Sequence, residues 1–172
     1  AGDVEPVGKI LAKPALPGEL GNPSSIHQRG QAAKAELEEA RGEVAALVGA
    51  QPAEIVFTSG GTESDNLAIR GLLGAWAESH PGAPWPHVIT SAIEHHAVLH
   101  VCEDLERSGC EVTYVKPDAE GRIHADDVAA ALRDDTALIS LRMANNETGV
   151  LQPTAAVAEV ARTARVTFRV DD

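Results

Sequence analysis

The sequence predicts an α/β fold, a three-layer arrangement in which a mostly parallel sheet carries helices on both faces. Three observations predict it. Short β-branched runs alternate with stretches whose apolar residues recur every three or four positions. The connections between these stretches are short, as in successive strand–helix–strand units. Crossovers between parallel strands are almost always right-handed, which distributes the helices over both faces of the sheet.

The elements follow in order. Residues 1–25 are rich in Gly and Pro and end in Gly21-Asn22-Pro23-Ser24-Ser25, so they read as a loop segment. Residues 26–172 are expected to form the domain. Leu37, Ala40, Val44, Leu47 and Val48 stand at helical spacing with Glu38, Glu39 and Arg41 between them, and Gly49 is the stop. Residues 54–58 (EIVFT) read as a first strand. A helix over 62–77, a strand over 88–91, a helix over 94–108 and a strand over 111–115 come next. Then come a helix over 126–133, a strand over 137–143, a helix over 154–163 and a last strand over 166–170. No internal repeat is visible.

Composition narrows the function classes. With 44% hydrophobic and 23% charged residues the chain matches ordinary globular proteins. Aromatics are only 3%, so the core has to be built from Ala, Val, Leu and Ile. A net charge of −12 repels phosphate backbones and anionic lipid, which excludes nucleic acid and membrane surfaces as expected partners. The two cysteines, Cys102 and Cys110, have no metal-binding or CxxC spacing and read as reduced thiols of a cytoplasmic protein. No apolar run spans a bilayer, and no secretory signal is expected.

In such sheets, ligands bind beyond the carboxyl ends of the strands. Four segments stand there. The first is Thr58-Ser59-Gly60-Gly61-Thr62-Glu63-Ser64, where a strand pattern runs through two glycines into a helix. Glycine admits close approach, and a helix N-terminus presents bare N–H groups to a phosphate. The same residues also suit a tight turn capped by Ser59 or Thr62. The second is Ser91-Ala92-Ile93-Glu94-His95-His96. His95 can stack on a flat ligand and move a proton, or be a plain helix-terminal histidine. His96 and His100 are four apart on one helix face; nothing completes a metal-ligand set around them, and no metal is expected.

The third segment is Met143-Ala144-Asn145-Asn146-Glu147-Thr148-Gly149. Its amides suit a phenolate oxygen or a carboxylate, and equally a capped turn. The fourth is the end of the last strand, Asp171-Asp172. A carboxylate there requires a cationic partner such as a protonated pyridine nitrogen, unless it is simply a polar chain end.

With these segments in view, the chain resembles the cysteine desulfurases and their relatives the selenocysteine lyases. Both lie within the class V aminotransferases, enzymes of pyridoxal 5′-phosphate (PLP) fold type I. The matching stretches are GNPSSIHQRG (21–30), EIVFTSGGTESDNLAI (54–69), ITSAIEHHAVL (89–99), ANNETGVLQP (144–153) and FRVDD (168–172). The resemblance implies part of a fold type I large domain with PLP as cofactor. It implies that Gly61 and Thr62 hold the PLP phosphate. It further implies that His95 stacks on the ring and acts in proton transfer, that Asn146 stands near the ring oxygen, and that Asp171 pairs with the ring nitrogen. The implied reaction is L-cysteine to L-alanine with sulfur passed to an enzyme cysteine, in a homodimer that serves a sulfur-acceptor protein and iron–sulfur cluster assembly.

L-selenocysteine is the alternative substrate. A non-catalytic module that binds a phosphate ligand or pairs with an intact subunit, and a metal-binding protein using His96 and His100, are the other readings. In the family a Ser-x-His-Lys segment follows the aspartate and carries the Schiff-base lysine, and the nucleophilic cysteine lies further along. Neither is in these 172 residues, so the stretch is expected to be inactive alone. Cys102 and Cys110 fall in the wrong part of the fold for the nucleophile, and Lys9, Lys13, Lys34 and Lys116 in the wrong places for the lysine. Asp172 replaces the small residue usual after the aspartate.

Overall fold

The computed structural model describes residues 21–171, which fall into two compact units, one up to Phe57 and one from Thr58 onward. The greater part of the loop expected over 1–25, with Lys9 and Lys13, lies outside the described residues, as does Asp172.

The first unit is built on helix α1 (Gln28–Val48). Its N-cap is His27, whose Nδ1 accepts the Gly30 N–H at 3.1 Å, and it ends at Gly49 in the left-handed conformation. Gly30 is required by space: a Cβ there would stand 2.6 Å from the carbonyl oxygens of Asn22 and Ser25. The buried residues of α1 are small (Gly30, Ala33, Ala45), while Leu47 and Val48 of the expected apolar stripe are exposed.

A 3₁₀ turn, Pro52–Glu54, follows. The strand expected over 54–58 does not form. The β-branched run favours an extended backbone, but a strand exists only through a ladder with a neighbour. Here the Ile55 carbonyl accepts from the Arg41 guanidinium, which also lies over the Phe57 ring at 5.1 Å.

The second unit holds the sheet. Its elements are α2 (Gly61–Ser79), β1 (His87–Ser91), α3 (His96–Arg107), β2 (Val112–Val115), α4 (Ala125–Ala130), β3 (Thr136–Arg142), α5 (Thr154–Ala164) and β4 (Thr167–Asp171). All strand pairs are parallel, in the order β2-β1-β3-β4. Strand side chains alternate between faces. Val88 and Leu138 pack with Ile69 and Leu73 of α2 and Val98, Val101, Cys102 and Leu105 of α3. Ile89, Ile139 and Leu141 pack on the other face with Val128 of α4 and Val157 and Ala161 of α5. The three-layer α/β arrangement with a parallel sheet is therefore as expected.

Two details differ in extent. Helix α3 starts at His96, since the His95 ring caps it and Glu94 is held elsewhere. Helix α4 stops at Ala130. The connection from β1 leads outward to β2, while β3 lies on β1's other side. The strand order thus reverses between β1 and β3, and their carboxyl ends open a crevice for ligands.

Cys102 and Cys110 are free, buried thiols in the α2–α3 core. Burial pushes Cys102 up to about 12 and Cys110 up to about 11. The Cys110 thiol donates to the Pro86 carbonyl at 3.0 Å. Neither is a thiolate at neutral pH, and the thiolate is the reactive form. Alkylation at neutral pH without denaturant is expected to leave both unmodified by mass spectrometry, and denaturant to expose both. Rapid native labelling of Cys102 would contradict its place in the core.

Candidate functional site

At the carboxyl end of the sheet lies a cavity of about 470 Å³ lined by Gly61, Thr62, Asp65, His95, Arg142, Ala144, Asn146 and Asp171. The five residues expected to bind PLP come from four separate segments, and all five border this one space. Asp65 and Arg142 were not singled out from sequence.

The N-terminus of α2 supplies one wall. Its N-cap is Gly60, with no side-chain cap bond, so neither Ser59 nor Thr62 caps the helix. The Glu63 carboxylate accepts from both the N–H and the hydroxyl of Ser59, each at 2.6 Å, and these bonds hold Glu63 below its usual range. A Cβ at Gly61 would meet nothing within 4 Å. The first turn therefore offers uncapped N–H groups and the positive end of the helix dipole to the cavity.

The turn after β1 brings His95. Its Nδ1 accepts the Ala97 N–H at 3.1 Å as the cap of α3. A backbone N–H only donates, so Nδ1 carries no proton and Nε2 carries the ring's N–H. The preceding Glu94, 5% exposed, accepts from the Ser91 hydroxyl and, at 3.1 Å, from the Arg142 N–H. Burial raises Glu94 above its ordinary value; the bonds from Ser91 and Arg142 oppose the shift. This carboxyl fixes the His95 turn to the end of β3.

The loop after β3 divides its two asparagines between two tasks. Asn145 builds the turn: its Oδ1 accepts from Glu147 N at 2.9 Å and Thr148 N at 3.0 Å. Asn146 lines the cavity, and its Oδ1 accepts from Arg142 Nη2 at 2.7 Å.

Asp171 ends β4, paired in register with Arg142. The cation that a carboxylate at this point requires is present two residues back on the same face. Arg169 Nη2 donates to Asp171 Oδ1 at 3.0 Å and to Asp65 Oδ1, while its Nη1 donates to the Ser140 hydroxyl at 2.9 Å. Burial raises Asp65 above the usual carboxylate range; Arg169 opposes the shift and Asp171 adds to it. Asp65, Arg142 and Arg169 each had a sequence signal. Asp65 stands four residues before Ile69 on the buried stripe of α2, and each arginine interrupts a β-branched or apolar strand. A charge at a core position calls for a partner.

The rings of His96 and His100 stack with centroids 5.5 Å apart. Among the described residues no group of three or more His, Cys, Asp or Glu could hold a metal ion. Among the same residues no helix is long and apolar enough to cross a membrane.

The class-V aminotransferase family model matches residues 13–172. The chain belongs to the class-V aminotransferase family. The chain is 49% identical over 155 residues to a cysteine desulfurase IscS of Photorhabdus laumondii, covering 90% of the chain and 37% of that protein. It is 47% identical over 159 residues to a cysteine desulfurase IscS of Dictyoglomus turgidum, covering 92% and 39%. The chain thus spans about two fifths of the length of the curated relatives it matches. Among solved structures it is similar to SspA in complex with cysteine, with a TM-score of 0.84, 40% identity and coverage of 95% of this chain and 46% of that one. It is also similar to DndA from Streptomyces lividans, with a TM-score of 0.76, 45% identity and coverage of 88% and 41%.

Proposed function

We propose that these residues form the cofactor-holding portion of a PLP-dependent cysteine desulfurase. The reaction is L-cysteine to L-alanine, with the sulfur received by an enzyme cysteine as a persulfide. The observation that carries the reading is the convergence of Gly61, Thr62, His95, Asn146 and Asp171, from four segments, on one cavity.

The donor set fits PLP. Bare N–H groups and the Thr62 hydroxyl at the start of α2 suit a phosphate. The flat His95 ring, whose Nε2–H alone is left to donate, suits a ring face. Asn146 offers an amide to the ring oxygen, and the Asp171 carboxylate suits a protonated ring nitrogen. Bound there, PLP supplies an electron sink for the amino acid joined to it. Asp171 would hold the charge of the ring nitrogen, Asn146 would orient the ring oxygen, and His95 would stack on the ring and donate from its Nε2–H.

The relatives' names, and the cysteine in the SspA complex, favour L-cysteine over L-selenocysteine as substrate. The free thiols favour a reducing, cytoplasmic location. On the family resemblance we also assign a homodimer, a sulfur-acceptor partner with a role in iron–sulfur cluster assembly, and membership of 26–172 in one cofactor-binding domain preceded by the loop segment 1–25.

The test is equilibrium dialysis of the purified chain against PLP. Saturable, stoichiometric binding is expected, competed by inorganic phosphate. Thr62→Val and Asp171→Asn are each expected to weaken it about tenfold, as for loss of one charge-assisted hydrogen bond. Absence of saturable binding by the folded chain, or variants that bind as well as wild type, would refute this reading.

A further inference from the structure

We propose that Arg142 is a positioning residue that holds Asn146 by its amide oxygen, so that the cavity is offered only the amide N–H groups. The inference rests on the PLP reading above and deepens it. Arg142 is 7% exposed. Its Nε donates to the Ala144 carbonyl at 2.9 Å, its Nη1 to the Ile93 carbonyl at 3.0 Å and its Nη2 to Asn146 Oδ1 at 2.7 Å. A guanidinium has donors and no acceptor, so the Asn146 atom that faces it is the oxygen. Asn146 Nδ2 has no partner among the described residues, and both side chains line the cavity.

The consequence is selectivity by charge. An asparagine free to turn accepts or donates; one held by its oxygen only donates. Arg142 makes no salt bridge among the described residues, and a buried cation favours an oxyanion beside it. This corner therefore selects a negatively charged oxygen. Its source is the ring oxygen of PLP or the carboxylate of an amino acid joined to it. Through Ile93 the same guanidinium also ties the His95 turn to the loop after β3, so one side chain sets two walls.

The test compares wild type, Arg142→Lys, Arg142→Met and Asn146→Asp as full chains. The probes are PLP, its 3-O-methyl ether, phosphopyridoxyl-L-alanine and phosphopyridoxyl-ethylamine. Arg142→Met is expected to weaken binding about tenfold for the probes that carry the selected oxyanion and to leave its matched partner unchanged. PLP against the ether reports the ring oxygen, and alanine against ethylamine reports the carboxylate. Arg142→Lys is expected to restore most of the loss. Asn146→Asp keeps the acceptor for Arg142, so its melting temperature is not lowered, but it loses the N–H groups and binds oxyanion probes at least tenfold more weakly.

Equal effects of Arg142→Met on both members of each pair overturn the proposal, as does wild-type binding by Asn146→Asp. If wild type binds no PLP, the PLP reading fails by itself. The positioning claim is then judged in the ligand-free chain from the Asn146 side-chain amide resonances. Arg142→Met is expected to shift them and Arg142→Lys to return them, and an unmoved pair overturns the claim.

Discussion

Replacing Arg169 by methionine destabilises the chain by about 3–5 kcal/mol at neutral pH, the cost of removing the cation from a buried ion pair. The side chain of Arg169 is 13% exposed, and it serves Asp65, 4% exposed, and Asp171, 22% exposed. Methionine matches its length but leaves two neighbouring carboxylates without a counter-charge and the Ser140 hydroxyl without its donor. The sign of the pH dependence follows. Asp65 is raised already, so its protonated form is favoured by folding. That contribution is complete below the unfolded value of 3.8 and is lost as pH rises through the folded value. Without Arg169 the folded value rises further, so the deficit of the variant shrinks on acidification. Urea denaturation at pH about 7 and about 4 measures both effects. Adding Asp65→Asn to the variant is expected to recover much of the loss. A variant within about 0.5 kcal/mol of wild type at neutral pH, the ordinary range of surface changes, would show that the pair is not structural.

Glu94→Ala is expected to cost about 2–5 kcal/mol, because the buried Ser91 hydroxyl and Arg142 N–H both lose their acceptor. It also frees the His95 turn from β3, so PLP binding is expected to weaken in the fraction that remains folded. Glu94→Gln keeps Oε1 and places an amide where Oε2 stands buried without a partner among the described residues. Its effect at acidic pH is small. Burial raises Glu94, so the stability it contributes is complete below the unfolded value of 4.5 and declines as pH rises through the folded value. Glu94→Gln does not titrate, and the stability difference between it and wild type is expected to move in the variant's favour as pH rises above 4.5. Asp65 changes in the same direction in both proteins and cancels. Parallel stability profiles of wild type and Glu94→Gln would mean that Glu94 is not raised.

Local pattern determined most of the second unit. Apolar residues at spacings of three and four, as in Val98, Val101, Cys102 and Leu105, specify which helix face is buried before any partner is known. In a parallel sheet the chemistry gathers at the carboxyl ends of the strands, which marked the segments 58–64, 91–96, 143–149 and 171–172. Within them the resemblance to the cysteine desulfurases singled out Gly61, Thr62, His95, Asn146 and Asp171. Among the described residues the first segment follows no strand, and it reaches the cavity from the start of α2. What local pattern could not determine was pairing. The run EIVFT has the composition of a strand, but a ladder needs a second chain segment, and the Ile55 carbonyl bonds Arg41 instead. Asp65 and Arg169 are 104 positions apart, and their contact exists only because α2 lies over the face of β4. Asn145 and Asn146 are neighbours of one residue type, and only the fold separates the one that builds the turn from the one that Arg142 turns toward the cavity. Periodicity and turn chemistry are short-range properties of the chain, whereas ladders and ion pairs depend on which distant segments the sheet brings together.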